Sequence, residues 1–196
     1  MGGHAGGIVN YSRLSGSKVI GCSNAATVTG GSGGEISAGG IVGNIYWGGA
    51  VHIIDCKNTG SITGSLAGGI LGDAVNGDNR IYCCYNEGVI KSTGDASGGI
   101  VGRCWFVTQY CYNIGAITGN SSGAITGIAT GDIRTSQCWA SSTPFTGSGN
   151  ISCEQFDNTN NKWPMYTTDA SDTYSWGSSH WKSYSQGEYP KLLWEP

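Results

Sequence analysis

The nine residues at positions 111–119, CYNIGAITG, are the last of four similar segments in this chain. The other three read CSNAATVTG from Cys22, CKNTGSITG from Cys56 and CYNEGVIKS from Cys84. In each copy the Cys precedes an Ile or Val by six residues. Self-similarity of this kind is the signature of a repeat architecture, in which each unit packs on its neighbours.

A second repeated mark, Gly-Gly-Ile-Val or a close variant, begins at Gly6, Gly39, Gly68 and Gly98, with a weaker copy at Gly123. The distances between the two marks vary, and the overall period is 25 to 34 residues. The apolar runs are short, β-branched and bounded by Gly and Asn, which argues against helical repeats and favours strands. We therefore expect coils of two or three short strands, stacked in parallel about 4.8 Å apart.

The sequence predicts an all-β chain: a parallel β-helix (β-solenoid) of about five turns with an aromatic-rich C-terminal cap. The solenoid occupies residues 1–144, and Pro144 ends it, because a central strand cannot give up that N–H donor. Residues 145–196 contain four of the seven Trp and form a segment that caps the open end, or else a small independent binding domain. The predicted turns lie near 6–30, 39–64, 68–92, 98–119 and 123–144.

In-register stacking would place equivalent side chains in columns. Ile side chains fill the interior, Cys acts as a small hydrophobe, and Asn side chains bond along the column at a bend. Gly60, Gly88 and Gly115, two residues after the Asn, are expected to need a positive φ. The predicted ladders are Ile8, Ile41, Ile70, Ile100 and Ile125; Val28, Ile62, Ile90 and Ile117; Cys22, Cys56, Cys84, Cys111 and Cys138; and Asn24, Asn58, Asn86 and Asn113.

Charge and hydropathy argue against several classes of protein. The net charge is −3 and the Lys and Arg residues are scattered, which argues against a nucleic acid partner. No apolar run approaches the roughly 18 residues of a membrane span, and the first residues do not resemble a signal peptide. These observations indicate either a cytosolic protein or a piece cut from a longer exported parent chain. We expect the cut piece, because a repeat unit follows Met1 directly with no cap before it.

Few residues suggest catalysis. The three histidines belong to no His-Glu-x-x-His zinc motif, and neither a nucleophile elbow nor a phosphate loop is present. The sequence therefore predicts no catalytic residue, no metal site and no cofactor. The best acidic cluster is Asp73 and Asp78 with Arg80, residue types that β-helix lyases and glycosidases use for proton transfer or calcium binding. A solvated loop is the alternative.

The eight cysteines allow two interpretations. Disulfides are common in exported proteins, but in-register neighbours point the same way, which suits poorly the disulfide torsion near 90°. No Cys-x-x-Cys spacing suggests zinc. We expect the Cys ladder to be reduced and buried, whereas a bridge among Cys83, Cys104 and Cys153 stays open.

Large aromatic residues directly follow the ladder Cys in three repeats, as Tyr85, Tyr112 and Trp139. Stacked on the outer face of a strand, they would form an exposed strip able to hold sugar rings or anchor a protein. We assign ligand binding to these three residues and to Trp105, which follows the Gly-Gly-Ile mark as Tyr46 does. The alternative is that the rings cover one another or pack under loops.

The tetrapeptides GIVG at Gly40, GILG at Gly69 and GIVG at Gly99 resemble the repeat of the GLUG-motif family. CYNEGVI and CYNIGAITG are similar to the segment that follows it there, and the ending WKSYSQGEYPKLLWEP, residues 181–196, is similar to the segment that closes such arrays. The chain departs from the tetrapeptide at Asn10 and at residues 124–127, which predicts irregular first and fifth turns. The resemblance implies a bacterial surface or extracellular protein of adhesin-like type; such repeats also accompany IgA-specific metalloendopeptidases.

Two functions follow as hypotheses. The first is a non-catalytic structural or adhesive module of a bacterial cell-surface or secreted protein, which contacts a glycan or a host or bacterial surface protein. The second is a carbohydrate-active β-helix enzyme, a polysaccharide lyase or glycosidase, with Asp73, Asp78 and Arg80 as the only seed of a site.

Overall fold

The computed structural model describes residues 3–31, 33–46, 48–75, 77–129, 134–136, 138–140, 154–155, 176, 178–183 and 188–196. Over these residues the secondary structure is all-β, and no helix that could span a membrane occurs among them. The predicted end of the ladder at Pro144 and the thiol of Cys153 lie outside the described residues.

Each coil of the solenoid consists of short strands separated by tight bends. The first coil contains β1 (Ala5–Gly6), β2 (Val9–Ser12), β3 (Ser15–Ile20) and β4 (Ser23–Asn24). The second contains β5 (Val28–Thr29), β6 (Ser37–Gly39), β7 (Val42–Ile45), β8 (Ala50–Ile54) and β9 (Lys57–Asn58). The third contains β10 (Ile62–Gly68), β11 (Leu71–Ala74), β12 (Arg80–Tyr82) and β13 (Tyr85–Asn86). The fourth contains β14 (Ile90–Gly98), β15 (Val101–Cys104), β16 (Val107–Gln109) and β17 (Tyr112–Asn113). The last strands are β18 (Ile117–Thr118), β19 (Ser122–Gly123), β20 (Thr126–Ala129), β21 (Arg134–Ser136), β22 (Trp139–Ala140) and β23 (Glu154–Gln155).

Strands from successive coils pair in parallel and build four sheets. The first sheet has the order β1-β6-β10-β14-β18, with β5 beside β10 and β19 beside β14; the second has the order β2-β7-β11-β15-β20. The third has the order β21-β16-β12-β8-β3, and the fourth β23-β22-β17-β13-β9-β4. The predicted β-solenoid is confirmed, with about four complete turns and four strand positions per coil rather than two or three.

Aliphatic columns fill the interior. The Ile41 amide donates to the Ile70 carbonyl at 3.0 Å, and Ile70 donates in the same way to Ile100 at 2.9 Å, so these residues stack one above another. All three are fully buried. Ile8 continues the column by its backbone but is 48% exposed, so its predicted place in the interior is wrong. The reason is its position: β1 and β2 are edge strands that pair only with the second coil.

The other predicted columns also lie in register. Val28, Ile62, Ile90 and Ile117 pair along the first sheet and are buried. In the Cys column, Cys56, Cys84, Cys111 and Cys138 are buried and Cys22 is partly exposed. None of the seven cysteines among the described residues, Cys83 and Cys104 included, forms a disulfide, and Cys84 Sγ donates to the Tyr82 carbonyl at 3.1 Å. Burial raises the pKa of Cys84, which keeps this thiol protonated and unreactive.

The Asn column is a continuous chain of amide hydrogen bonds. Asn24 Nδ2 donates to Asn58 Oδ1, Asn58 to Asn86, and Asn86 to Asn113, each at 2.7 Å. Each Nδ2 also donates to the carbonyl two residues on, for example that of Gly88 at 2.8 Å from Asn86. The column therefore satisfies the polar groups of the bend and holds successive coils in register.

Glycine follows the Asn for a reason other than the one the sequence suggested. Gly60, Gly88 and Gly115 do not have a positive φ, so that prediction is wrong. A Cβ atom on Gly88 would instead stand 2.0 Å from the Gly60 carbonyl oxygen of the preceding coil, and the other two positions are equally tight. Ala26 is tolerated in the first coil because its side chain is exposed.

The departures from the tetrapeptide have a similar explanation. Asn10 stands in the exposed first coil, and β2 still pairs regularly with β7. In the fourth coil, a Cβ on Gly99 would meet the Asn113 side chain at 2.4 Å. In the fifth coil, Ala140 pairs with Asn113 and takes the place of the next Asn in the Asn column. The small Ala140 side chain leaves space for a Cβ atom on Ala124, the equivalent of Gly99. The first and fifth coils are therefore regular at the positions where irregularity was expected.

The corner between the third and fourth sheets is left-handed in four coils. Gly21, Asp55, Cys83 and Tyr110, each directly before a ladder Cys, have φ values of 63°, 52°, 52° and 55°. This conformation costs a non-Gly residue on the order of 1–3 kcal/mol, so the surrounding packing must hold it. Non-Gly residues at this corner therefore present their side chains outside the Cys column.

We expect Ile70→Ala to lower the free energy of unfolding by about 2–5 kcal/mol, because a buried aliphatic side chain leaves a cavity. Ile8→Ala is the matched control, since the same residue type in the same column is exposed there and the change should stay within about 0.5 kcal/mol. Urea unfolding followed by far-ultraviolet circular dichroism measures both. Equal losses of unfolding free energy in the two variants would contradict the assignment of Ile70 to the interior and of Ile8 to the surface.

Gly69→Ala tests the close approach of the coils. Its Cβ would lie 2.1 Å from the Gly99 carbonyl oxygen and 2.5 Å from Asn86 Cγ, and relieving such overlap costs about 1–3 kcal/mol or more. Gly34→Ala is the control, because no atom lies within 4 Å of its Cβ position. Thermal unfolding should show a lowered midpoint for Gly69→Ala alone; an unchanged midpoint would contradict this spacing.

Candidate functional site

The aromatic residues of the fourth sheet stack as their spacing predicts. Tyr85 pairs with Tyr112 in the parallel register, and Tyr112 pairs with Trp139. The Tyr85 and Tyr112 rings are nearly parallel, with centroids 4.7 Å apart and an interplanar angle of 4°. The column is therefore real, and its accessibility decides whether it can hold a ligand.

This column is not exposed, so the predicted exposed strip is wrong. The structure shows the alternative, in which the rings cover one another and pack under another segment of the same chain. Tyr85, Tyr112 and Trp139 are only 2%, 1% and 4% exposed. Trp176, Trp181 and Leu192 of the C-terminal segment pack against them. The described residues of that segment thus cover the side of the solenoid along the fourth sheet.

Polar contacts fix the C-terminal segment to three coils. Glu195 pairs with Lys57 at 2.5 Å and accepts the Tyr85 hydroxyl at 2.8 Å. The Tyr112 hydroxyl donates to the Pro190 carbonyl at 2.7 Å. Trp194 Nε1 donates to the Asp55 carbonyl at 2.8 Å. The contacts come from β9, β13, β17 and the corner before β9, so the segment runs back across the sheet.

The electrostatics favour a charged carboxylate at the centre of this interface. Burial opposes ionisation of Glu195, but the Lys57 ammonium, the Leu192 amide and the Tyr85 hydroxyl outweigh it and hold the pKa of Glu195 below its usual value. Burial, with the Glu195 charge beside it, raises the pKa of Tyr85, so this hydroxyl remains a donor. Glu195 is therefore the residue through which acid can loosen the segment.

A second arrangement lies on the open face of the second sheet. Asn44, Asp73 and Arg103 occupy equivalent positions on β7, β11 and β15 and form a row across the coils. They line a cleft of about 440 Å³ together with His4, Glu35 and Tyr46. The cleft is thus built on three paired strands, which gives its polar groups a rigid base.

Arg103 organises the charges of this cleft. Its Nε and Nη2 donate to the two oxygens of Asp73 at 2.8 and 3.0 Å, and its Nη1 donates to Glu35 at 3.2 Å. Asn44 Nδ2 donates to Asp73 at 3.1 Å from the opposite side. These bonds to Asp73 and Glu35 raise the pKa of Arg103 further above its usual value, with burial opposing. Asp73 and Glu35 thus bond to one guanidinium group, and both oxygens of Asp73 are engaged by it.

Aromatic rings stand beside this row on the first two coils. Tyr11 is a neighbour of Asn44 along the sheet, and its ring centroid lies 5.8 Å from that of Tyr46 and 5.9 Å from that of His4. The Arg13 guanidinium carbon lies 4.5 Å from the Tyr46 ring centroid. Tyr11 and Tyr46 are 40% and 43% exposed, so part of their surface remains available to a ligand.

Trp105 remains a candidate for ligand contact. Ala74 pairs with both Ile45 and Cys104, which end their strands. The residues that follow them, Tyr46 and Trp105, therefore lie at the same end of the second sheet, just beyond the C-terminal ends of β7 and β15. Two strand spacings, roughly 10 Å, separate the two positions. Trp105 is exposed, unlike the three other aromatic residues assigned to ligand binding.

The predicted acidic cluster is not brought together. Asp73 is buried in the row with Arg103, whereas Asp78 pairs with Arg80 at 3.0 Å on the surface. The sequence did not point to Asn44 and Arg103, although a signal existed. Each follows directly after the Gly-Ile-Val-Gly tetrapeptide, and Asp73 follows its variant Gly-Ile-Leu-Gly in the same way. The tetrapeptide is constant in these repeats, whereas the polar residue after it differs.

Comparison of the chain with protein-family models, curated proteins and solved structures finds no significant match in any of the three.

Acid should release the C-terminal segment through Glu195. Because its folded pKa is lowered, its contribution is complete above the ordinary Glu pKa of about 4.3 and is lost as the pH falls through the folded value. Glu195→Gln should therefore weaken docking at pH 7, by about 1.5–3 kcal/mol for charge-assisted hydrogen bonds, and flatten the pH dependence below pH 5. The red shift of tryptophan emission reports exposure of Trp176 and Trp181.

Glu188→Gln is the control for this experiment, since Glu188 is an exposed carboxylate of the same segment. Its emission maximum should follow that of the wild type from pH 7 to pH 3. Identical acid transitions in wild type and Glu195→Gln would show that another group holds the segment.

Proposed function

We propose that this chain is a non-catalytic structural and adhesive repeat module of a bacterial cell-surface or secreted protein. We further propose that it contacts a glycan through the cleft on the second sheet, which takes the place of the buried strip around Tyr112. The resemblance of its repeats to the GLUG motif supports a location on the bacterial surface.

The observation that carries the glycan assignment is the row of Asn44, Asp73 and Arg103 beside the exposed rings of Tyr11 and Tyr46. Sugar rings present apolar faces that stack on aromatic side chains, and hydroxyl groups that exchange hydrogen bonds with carboxylates, amides and guanidinium groups. A site of this kind joins an apolar platform to a few fixed polar groups. The ion pairs hold the polar groups in place before a ligand arrives, which lowers the entropic cost of binding.

The same row argues against the second hypothesis, a glycosidase. Such an enzyme needs one carboxylic acid that carries a proton at the working pH, opposite a carboxylate that acts as base or nucleophile. Both carboxylates of the cleft instead bond to the same guanidinium group, and the two oxygens of Asp73 are occupied by Nε and Nη2 of Arg103. Binding without bond cleavage is therefore the better account of this chemistry.

The proposal is tested by binding of the folded chain to a glycan array, followed by titration of the best glycan. Tyr46→Ala should weaken that binding about 2- to 13-fold, since a lost ring contact is worth about 0.5–1.5 kcal/mol. Ile20→Ala is the matched control, because Ile20 is an exposed apolar residue on β3, in the third sheet. Absence of any bound glycan, or equal affinities for the two variants, would overturn the assignment. Release of reducing sugars from a bound glycan would instead favour the enzyme.

A further inference from the structure

Three side chains with metal-binding atoms meet where the C-terminal segment crosses the solenoid. Asp55 and Cys83 hold equivalent left-handed corner positions in neighbouring coils, and His180 comes from the C-terminal segment. One ligand atom of each lies within 4.8 Å of the other two, and His180 Nδ1 is 2.7 Å from Asp55 Oδ1. The three groups therefore converge on one point, although they are far apart in the sequence.

The repeat does not explain the Cys at this corner. The equivalent residues in other coils are Gly21, Asp55 and Tyr110, and the ladder position is filled in this coil by Cys84. Cys83 is also a non-Gly residue held at a φ of 52°, a conformation that persists only where its surroundings enforce it. A thiol placed in this way next to an imidazole and a carboxylate needs an account of its own.

The burial of the cluster decides between two chemistries. A Cys, a His and an Asp in contact could in principle form a nucleophile with its base and orienting group. Cys83 is fully buried, so a substrate could not reach its sulfur. A metal ion needs no such access, because a buried thiolate is an ordinary ligand of a structural or semi-open metal site.

We propose that Asp55, Cys83 and His180 bind one zinc ion, which fastens the C-terminal segment to the corner of the solenoid. Sulfur, imidazole nitrogen and carboxylate oxygen are the three ligand types that Zn²⁺ takes, at about 2.3, 2.0 and 2.0 Å. Tetrahedral geometry at these lengths needs a nitrogen–oxygen separation of about 3.3 Å, so Asp55 and His180 move apart by roughly 0.6 Å. On binding, the zinc–sulfur bond forms and the thiol proton passes to solvent.

The fourth coordination position faces water. The side chains of Asp55 and His180 are 19% and 13% exposed, so the outer side of the cluster is open while the sulfur side is closed. Three protein ligands with a water in the fourth position make a site that loads and unloads ions without unfolding of the chain. The ion would replace the hydrogen bond between Asp55 and His180 with bonds that join three parts of the chain.

Cobalt(II) is the probe that tests this proposal, because a cobalt–thiolate bond adds near-ultraviolet charge-transfer absorption and tetrahedral cobalt adds visible bands. The full chain, reduced and freed of metal with a chelator, is titrated with Co²⁺ and then with Zn²⁺. We expect one cobalt per chain, displacement by one zinc, and affinity at least about 100-fold weaker in both Cys83→Ser and His180→Ala. Cys104→Ser is the control, since Cys104 is a buried thiol of the aliphatic interior and should retain the full signal.

The second readout is the tryptophan emission of the docked segment. Zinc should raise the temperature at which half of the C-terminal segment has undocked, in wild type and in Cys104→Ser. It should leave that temperature unchanged in His180→Ala, which keeps every solenoid residue. A wild type with no thiolate band at millimolar cobalt overturns the proposal. A band that survives in both Cys83→Ser and His180→Ala also overturns it, because the metal then binds at the Cys column.

Discussion

The close approach of successive coils is the constraint on which the rest of the structure depends. At Gly60, Gly88 and Gly115 the carbonyl of the preceding coil stands 2.0 Å from the place of a Cβ atom, so the backbone itself fills the interface. The same spacing brings the amides of the Asn column to 2.7 Å and buries the stacked side chains of Ile41, Ile70 and Ile100 completely. Because every coil contacts its neighbours through identical positions, one motif specifies all of the interfaces.

The repeat made most of this solenoid predictable. The fixed interval from Cys to Ile defines the register, and the register defines the columns, including the stack of Tyr85 on Tyr112. The role of the glycines was mistaken because a close approach of two backbones and a positive φ demand the same residue. The exposure of Ile8 was missed for a related reason, since a column shows equivalence between residues and says nothing about which of them stands at an edge.

The candidate site was harder to predict, for two physical reasons. The burial of Tyr85, Tyr112 and Trp139 depends on Trp176, Trp181 and Leu192, which follow no period that relates them to the fourth sheet. Asn44, Asp73 and Arg103 form the hydrogen-bonded row of the candidate site because they differ from one another, whereas a search for repeats looks for what is the same. The position was visible in the sequence, but the hydrogen bonds from Asn44 and Arg103 to Asp73 exist only once the coils are stacked.

Under the proposed function, the two outer faces have different roles. The fourth sheet uses its aromatic residues to hold the C-terminal segment, with Glu195 as the charged centre of that contact. The second sheet keeps Tyr11, Tyr46 and Trp105 at the surface beside a rigid polar row. A solenoid can separate structural and recognition tasks in this way, because each face is an independent column of positions.

The C-terminal segment also changes how the rod carries mechanical load. Hydrogen bonds between coils run along the solenoid axis, so tension on the axis acts directly on the bonds of whichever interface is weakest. Trp194 lies against Gly21 and Asp55, Glu195 bonds to Lys57 and Tyr85, and Pro190 bonds to Tyr112. The segment thus bridges the first four coils in parallel with the interfaces between them, as a brace does, and a pulling force must detach it before those coils can separate.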